Sequence, residues 1–186
     1  MTGFKFIGEQ ILKLEQQGKK ENYIFGFEES YGYLAGTHAR DKDAVVASFL
    51  ICEMFAFYKT RGISLLDKLN EIFDKFGFCM NVTYSNEFEG SSGFKKMQDI
   101  MVKFRKGAEE FGGKKVIELQ DYLPGINGLP SADVLKFILE GNCSVVVRPS
   151  GTEPKLKFYI SVSAKDEAAA HEAEQKILAD LNKYLD

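Results

Sequence analysis

Hydrophobic and polar positions divide the chain into two segments. In the first, a helix around Ile7 and Ile11 precedes an apolar strand at 23–27. An apolar helix from Ala44, an amphipathic helix from Leu65 and a strand at 78–84 follow. The order strand, helix, helix, strand is typical of an α/β domain. We therefore interpret residues 1–84 as an α/β segment, and we expect the helix from Ala44 to be buried, with Met54, Phe55 and Phe57 in the core.

The second segment has shorter alternating runs. A helix at 94–105 is followed by a strand at 115–120, a hairpin at 133–148 and a strand at 156–162. A final helix begins at Asp166. This pattern predicts a compact α+β domain with an antiparallel sheet and flanking helices. This segment begins with a polar, Gly/Ser-rich stretch, which is typical of a domain boundary. The predicted domains are therefore 1–84 and 85–186.

Composition and charge exclude several classes of protein. The 186 residues are 45% hydrophobic, which is enough to form a core, and the net charge of −3 gives no basic surface for nucleic acid or an anionic membrane. The longest apolar run, 44–58, is too short and too interrupted to cross a bilayer, and no signal peptide opens the chain. Three widely spaced cysteines are typical of reduced core residues. We expect a cytoplasmic protein without nucleic-acid or membrane partners.

The turn at 148–155 has the residue types that hold phosphate. Arg148 supplies a forked, charged donor, hydroxyl groups add further donors, and Gly151 leaves backbone N–H groups accessible. Prolines at both ends stiffen the turn, which reduces the entropy lost on binding. On composition alone, an ordinary surface hairpin is the competing interpretation. The candidate phosphate ligands are Arg148, Ser150, Gly151, Thr152 and Lys155.

A second polar group follows the strand at 23–27. Glu28 and Ser30 lie in a Gly-containing loop just past the strand end, where open α/β sheets bind ligands. The competing interpretation is a strand exit with a solvated pair of glutamates.

A basic cluster precedes the helix that begins at Ala44. The cluster comprises His38, Arg40 and Lys42, and Asp43 is the predicted N-cap. Cations at a helix N-terminus suit an anionic ligand, although a charged capping loop is an equally good interpretation. The neighbouring aspartates offer only two carboxylates with a cation between them, so we expect no metal site here.

Three sequence segments resemble the same protein family. The run Arg148-Pro149-Ser150-Gly151-Thr152-Glu153-Pro154-Lys155 resembles the phosphate-binding loop of the α-D-phosphohexomutases, the phosphoglucomutase and phosphomannomutase superfamily. The run Gly26-Phe27-Glu28-Glu29-Ser30-Tyr31-Gly32 is similar to the sugar-recognition loop of their third domain. The segment 36–43 resembles a basic stretch that lines their active-site cleft. The resemblance implies that Glu28 and Ser30 bind sugar hydroxyls and that Arg40 and Lys42 lie beside the substrate phosphate.

The resemblance covers the end of domain 3, which would be incomplete, and all of domain 4. It implies a C-terminal fragment of an isomerase that interconverts hexose 1-phosphate and hexose 6-phosphate through a bisphosphorylated intermediate. Neither the family's phosphoserine loop nor its Asp-rich Mg²⁺ loop is present, so we expect no catalytic residue and no metal ligand in this chain, and no activity from the chain alone.

The family also implies binding partners. Mg²⁺ would act in the full-length enzyme, and a glucose 1,6-bisphosphate-type activator is a further candidate ligand. The expected partners are a phosphosugar substrate, the upstream domains 1–3, and a second copy docked on the exposed edge of the incomplete domain 3. Glucose, mannose and pentose phosphates all fit the pattern, and the parent enzyme could be a mutase or a sugar-bisphosphate synthase.

A stand-alone phosphosugar- or anion-binding regulatory module without catalysis is the alternative function. That alternative predicts a self-contained first segment with its own sheet, whereas a mutase fragment predicts exposed apolar surface in the same segment.

Overall fold

A computed structural model describes residues 3–28, 31–126, 128–151 and 153–185, together with every described side chain except that of residue 91. The chain divides into two compact units, Met1–Asn70 and Glu71–Asp186. An α/β segment is followed by an α+β domain, as the sequence predicted, and the order strand, helix, helix, strand recurs along the chain.

The first unit has a small core beneath a hairpin. Its elements are α1 (Lys5–Gln16), a 3₁₀ turn (Lys20–Asn22), β1 (Phe25–Glu28), β2 (Gly32–Ala35) and α2 (Ala44–Lys59), and α3 (Leu65–Phe76) begins within it. Strands β1 and β2 pair antiparallel. Phe4, Ile11 and Leu34 are buried together because α1 turns its apolar face toward β2. The predicted N-cap is confirmed, since the Asp43 carboxylate accepts from the backbone N–H groups of the first turn of α2.

Helix α2 is not buried, contrary to the sequence prediction. Met54, Phe55 and Phe57 are 43%, 50% and 49% exposed, and none of the helix residues is buried. The helix is apolar on most faces, but it packs against the four-residue strand β2, which covers only a narrow strip of it. The first unit therefore presents a large apolar surface.

The second unit is a two-layer α+β domain. Its elements are β3 (Phe78–Glu87), α4 (Gly90–Arg105), β4 (Glu110–Phe111), β5 (Lys114–Asp121), β6 (Leu135–Leu139), β7 (Cys143–Pro149), β8 (Lys155–Ala164) and α5 (Glu167–Asn182). The strands form one antiparallel sheet in the order β3-β8-β7-β6-β5-β4. The predicted hairpin is confirmed in β6 and β7, whose turn places Gly141 and Asn142 at positive φ.

Alternation along the strands separates a core face from an open face. Every second residue is buried from Cys143 to Val147 in β7 and from Leu156 to Val162 in β8, and these residues form one cluster with the inward faces of α4 and α5. Glu174 is buried among them and accepts a hydrogen bond from the Tyr84 hydroxyl at 2.5 Å, a contact that the sequence did not predict. Residues on the opposite face of β7 and β8 are half-buried, and this face carries the polar side chains discussed below.

Strand β3 differs from its predicted place. It was assigned to the end of the first segment, but it pairs with β8 along its whole length, so the predicted boundary between residues 84 and 85 falls inside a strand of the second sheet. The alternation of exposed and half-buried residues continues through the polar stretch to Glu87, because hydrogen bonds to β8 satisfy the backbone there.

Two further findings concern the burial of the cysteines and the possibility of a membrane-spanning helix. Cys52 and Cys79 are exposed, so the prediction of core cysteines is right only for Cys143. Among the described residues, no helix has the length and apolarity needed to cross a membrane.

Candidate functional site

The turn between β7 and β8 is held in shape by its own backbone. The N–H of Ser150 donates to the carbonyl of Lys155 at 2.7 Å, and the N–H of Lys155 donates to the carbonyl of Glu153 at 2.7 Å. The carbonyl of Pro154 accepts from the N–H of Phe88 at 2.8 Å, which ties the loop to the end of β3. These bonds constrain the described ends of the turn, which reduces the entropy that a ligand would cost there.

Arg148, at the start of this loop, is a cation without a partner among the described residues. It is half-buried at the end of β7, on the open face of the sheet, because its neighbour Val147 fills the core. Within the described part of the chain, its guanidinium makes no ion pair and no hydrogen bond. A planar, charged fork with free donors is suited to bidentate binding of phosphate or carboxylate.

The predicted hydroxyl and glycine ligands lie beside Arg148. The Ser150 hydroxyl accepts from the N–H of Glu153 at 3.3 Å. Gly151 is exposed, and a Cβ added there would meet no atom within 4 Å, so its backbone is open to a ligand. Thr152, the other predicted hydroxyl ligand, lies outside the described residues.

Lys155 differs from Arg148 because its charge is already balanced. Its ammonium lies 3.1 Å from Glu87 and 3.3 Å from Glu153. Hydrogen bonds to Glu87 first, and then to Glu153, raise the pKa of Lys155 above its ordinary value. This lysine joins the loop to β3, in addition to any contact with a ligand.

A shallow cavity adjoins the loop and was not predicted from the sequence. It measures about 180 Å³ and is lined by three apolar residues and Gln98 of α4, by Asp133, and by Pro149, Ser150 and Gly151. Asp133 is fixed by an ion pair with Arg105, which also donates to Asp121 at 3.0 Å. In the sequence, only the helical spacing of Phe94, Met97 and Met101 indicated that these cavity-lining residues lie near one another on α4.

The second candidate group lies in the first unit, where β1 ends. Glu28 is 16% exposed and lies 3.7 Å from the ammonium of Lys42. Gly32 pairs with Glu28, and a Cβ at Gly32 would lie 2.7 Å from the Glu28 Oε1 atom and 2.8 Å from the Lys42 Cδ atom. The absent side chain at Gly32 therefore leaves room for both groups. Ser30, the predicted partner of Glu28, lies outside the described residues.

The predicted basic cluster separates into different roles. The Nε2 atom of His38 lies 2.9 Å from Asp43, so this histidine supports the N-cap of α2 and helps to lower the pKa of the Asp43 carboxyl. Arg40 donates to Glu15 of α1 at 2.7 Å, and this bond holds the pKa of Glu15 below its ordinary value. His38 and Arg40 therefore hold the segment 36–43 in place.

Lys42 is the member of the basic cluster that reaches Glu28. It also pairs with Asp41 at 3.2 Å, and this hydrogen bond is the largest cause of the raised pKa of Lys42. Lys42 thus lies between two carboxylates, one of which is the predicted sugar-binding group.

No set of side chains here suits a magnesium ion. Among residues 3–28, 31–126, 128–151 and 153–185, no group of three or more His, Cys, Asp or Glu side chains could hold a metal. The described residues do not fit the ion that the family resemblance implies for the full-length enzyme.

Comparisons with known proteins match both units. The family model described as "Phosphoglucomutase/phosphomannomutase, alpha/beta/alpha domain III" matches residues 1–76, and the model described as "Phosphoglucomutase/phosphomannomutase, C-terminal domain" matches residues 80–179. A phosphoglucomutase of Staphylococcus epidermidis is 39% identical over 176 residues, which are 88% of this chain and 31% of that protein. A phosphoglucomutase of Staphylococcus aureus is 38% identical over 175 residues, covering 87% of this chain and 31% of that protein.

A solved structure agrees at the level of the fold. The open form of the Paramecium exocytosis-sensitive phosphoprotein pp63/parafusin, titled a phosphoglucomutase, has a TM-score of 0.64 at 22% identity, covering 99% of this chain and 32% of that one. The chain thus spans about a third of the length of the relatives that it matches. With family models matched across nearly all of its residues, the chain belongs to the phosphoglucomutase/phosphomannomutase family.

Proposed function

We propose that this chain is the substrate-binding C-terminal part of a phosphohexomutase. The whole enzyme would be an isomerase that moves a phosphoryl group between the two ends of a hexose through a bisphosphorylated intermediate. The observation that carries the proposal is the guanidinium of Arg148, unpaired among the described residues, beside a backbone-bonded turn in the family's C-terminal domain. Because the guanidinium has no partner among the described residues, its donors remain available to a phosphate.

The loop would bind the phosphate that is not reacting. Arg148 would bind two phosphate oxygens, and the backbone N–H of Gly151 with the hydroxyls of Ser150 and Thr152 would complete the shell. Lys155 would add charge while it anchors the loop through Glu87.

Glu28 and Ser30 would accept and donate hydrogen bonds to sugar hydroxyls. The low exposure of the Glu28 carboxylate and the nearby ammonium of Lys42 support this role, because an oriented carboxylate forms strong bonds to hydroxyl donors. Arg40 and His38 would act indirectly, by holding the segment that carries Lys42.

The chemistry of transfer would belong to other domains of the parent enzyme. We propose that upstream domains supply the phosphoserine and the Mg²⁺ site, and that this cytoplasmic enzyme responds to a sugar bisphosphate. The apolar surface of the first unit supports a covering partner, since Ile24 is 81% exposed and Phe49 is 66% exposed. In the absence of the upstream domains, a second copy of the chain would cover this surface.

A stand-alone regulatory module is supported less well. That alternative needs a first unit with its own sheet, whereas the described residues of this unit form one two-stranded hairpin. A pair of short strands is marginal as an independent fold.

Titration of the chain with glucose 6-phosphate, followed by two-dimensional NMR, tests the proposal. We expect shifts at residues 148–155 and at the backbone around Glu28, and a coupled assay should detect no conversion of glucose 1-phosphate by the chain alone. Conversion at an ordinary enzymatic rate would refute the division of roles. Absence of shifts at millimolar ligand would refute phosphosugar binding by this chain.

The substitution Gly32→Ala should weaken sugar recognition selectively. The added methyl group would overlap Oε1 and Cγ of Glu28 and Cδ of Lys42, which belong to flexible side chains and not to the backbone, so the fold should persist while the carboxylate is displaced. Loss of one charge-assisted hydrogen bond predicts a rise of about tenfold in the dissociation constant for glucose 6-phosphate. Inorganic phosphate is the control ligand, and its affinity should stay unchanged; an equal loss for both ligands would contradict the assignment of Glu28.

A further inference from the structure

The shallow cavity beside the loop at 148–155 has an apolar wall built by one helix. Phe94, Met97 and Met101 follow one another along one face of α4 at helical spacing, and all three line the cavity. Met97 and Met101 are only 2% and 1% exposed, whereas Phe94 is 52% exposed. The volume of about 180 Å³ is smaller than that of a drug-sized pocket, so the cavity suits a small ligand.

The polar wall of the cavity carries an excess of negative charge. Asp133 lines the cavity and forms an ion pair with Arg105. The same guanidinium donates to Asp121, so one cation serves two carboxylates. Both oxygens of Asp121 accept hydrogen bonds, whereas the Oδ2 atom of Asp133 has no partner among the described residues. A fixed carboxylate with a free acceptor oxygen is suited to an ammonium donor.

The basic groups of the neighbouring loop do not cancel this charge. Arg148 lies on the open face of the sheet, whereas α4 packs against the core face. The ammonium of Lys155 is balanced by two glutamates. The loop residues that line the cavity are uncharged, namely Pro149, Ser150 and Gly151. The cavity therefore suits a cation, in contrast to the anion expected at the loop itself.

We propose that this cavity binds a small arylalkyl-ammonium ion. The ammonium group donates to the Oδ2 atom of Asp133, and the aromatic ring lies against Phe94 and the two methionine side chains. Aromatic–aromatic and sulfur–aromatic contacts favour such a ring over an alkyl chain. The ligand differs in charge from the proposed phosphosugar, and the inference does not depend on phosphosugar binding.

Two-dimensional NMR titration of the full chain with phenethylamine tests this inference. We expect saturable shifts at the backbone of Phe94, Met97 and Gly151, with a dissociation constant of about 1 mM. Phenethyl alcohol keeps the ring without the charge, and it should bind at least about tenfold more weakly because it lacks one charge-assisted hydrogen bond. Butylamine keeps the charge without the ring and should also bind more weakly. Equal affinities for the amine and the alcohol would overturn the role of Asp133.

Three variants locate the binding site. Asp133→Asn should weaken binding of the amine by about tenfold and leave binding of the alcohol unchanged. Arg105 keeps its bond to Asp121 in this variant, so the sheet should stay intact. Phe94→Ala should weaken binding of both ligands by about threefold to tenfold. Asp99→Asn is the matched control, because this exposed carboxylate of α4 does not line the cavity, and both affinities should be unchanged.

The outcomes separate this site from the proposed phosphosugar site. Absence of saturable shifts at the cavity in the wild-type chain would overturn the inference, as would full affinity for the amine in Asp133→Asn with an intact spectrum. Displacement of the amine by glucose 6-phosphate would also overturn it, since the two ligands would then share one site. Each of these results leaves glucose 6-phosphate binding to be judged by its own titration.

Discussion

The variant Arg148→Ala should lose nearly all measurable affinity for glucose 6-phosphate. A charge-assisted hydrogen bond contributes about 1.5–3 kcal/mol, and a bidentate contact from a guanidinium forms two of them. The dissociation constant should therefore rise by at least about 10²-fold. NMR titration at increasing ligand concentration measures this change directly, and the shifts at residues 148–155 should disappear. Because Arg148 has no partner among the described residues, its removal leaves no buried group unpaired, and the fold should survive.

Two further variants serve as controls: one removes a distant arginine, and the other keeps the charge at position 148 but changes its geometry. Arg61→Ala removes an exposed arginine, whose guanidinium lies 3.5 Å from the ring of Phe57 in the first unit, and should leave the dissociation constant unchanged. Arg148→Lys keeps the charge but not the fork, so it should recover only part of the affinity. Full affinity in Arg148→Ala, with an intact spectrum, would remove the observation on which the proposed function rests.

The variant Phe104→Ala should give the largest loss of stability in the second unit. Phe104 is fully buried in α4, stacks on Tyr184 at 4.1 Å between ring centroids, and approaches Phe137 and Phe158 at 6.2 and 5.9 Å. Truncation of a buried phenylalanine removes its transfer free energy and leaves a cavity, which together cost about 3–5 kcal/mol. Urea unfolding followed by circular dichroism should show a clearly lower midpoint, with little change in slope.

Phe94→Ala is the matched control in the same helix. Phe94 is 52% exposed at the N-terminal end of α4, so the same truncation should change the free energy of unfolding by less than about 1 kcal/mol. Similar losses in the two variants would mean that α4 does not pack on the sheet as described.

Local residue types were enough to predict most of the second unit. Strand β8 and the hairpin of β6 and β7 follow from a strict alternation of apolar and polar positions and from the Gly141-Asn142 turn. The loop at 148–155 follows from residue types that are rare in combination, and the family models confirm the family that they suggested. The boundary near residue 84 was harder to place, because β3 finds its partner about 70 residues later in β8.

The exposure of α2 was not predictable from the residues of the helix itself. A helix that is apolar on most faces is usually a core helix, yet Phe55 and Phe57 are half exposed because β2 covers only one strip of the helix. The hydrophobic pattern of a helix indicates which of its faces must be covered by other apolar residues. It does not indicate whether those residues belong to the same chain.

The family, the order of the elements and the candidate residues for phosphate and sugar were predictable from the sequence alone. Which charges remain available for a ligand became clear only from the tertiary structure. Lys155, Arg40 and His38 have acidic partners, whereas Arg148, Lys136 and Lys157 share one face of the sheet without any among the described residues. The charge of a side chain follows from its residue type. Whether it forms an ion pair depends on its distance from other charges, and strand register and side-chain packing set that distance between positions far apart in the chain.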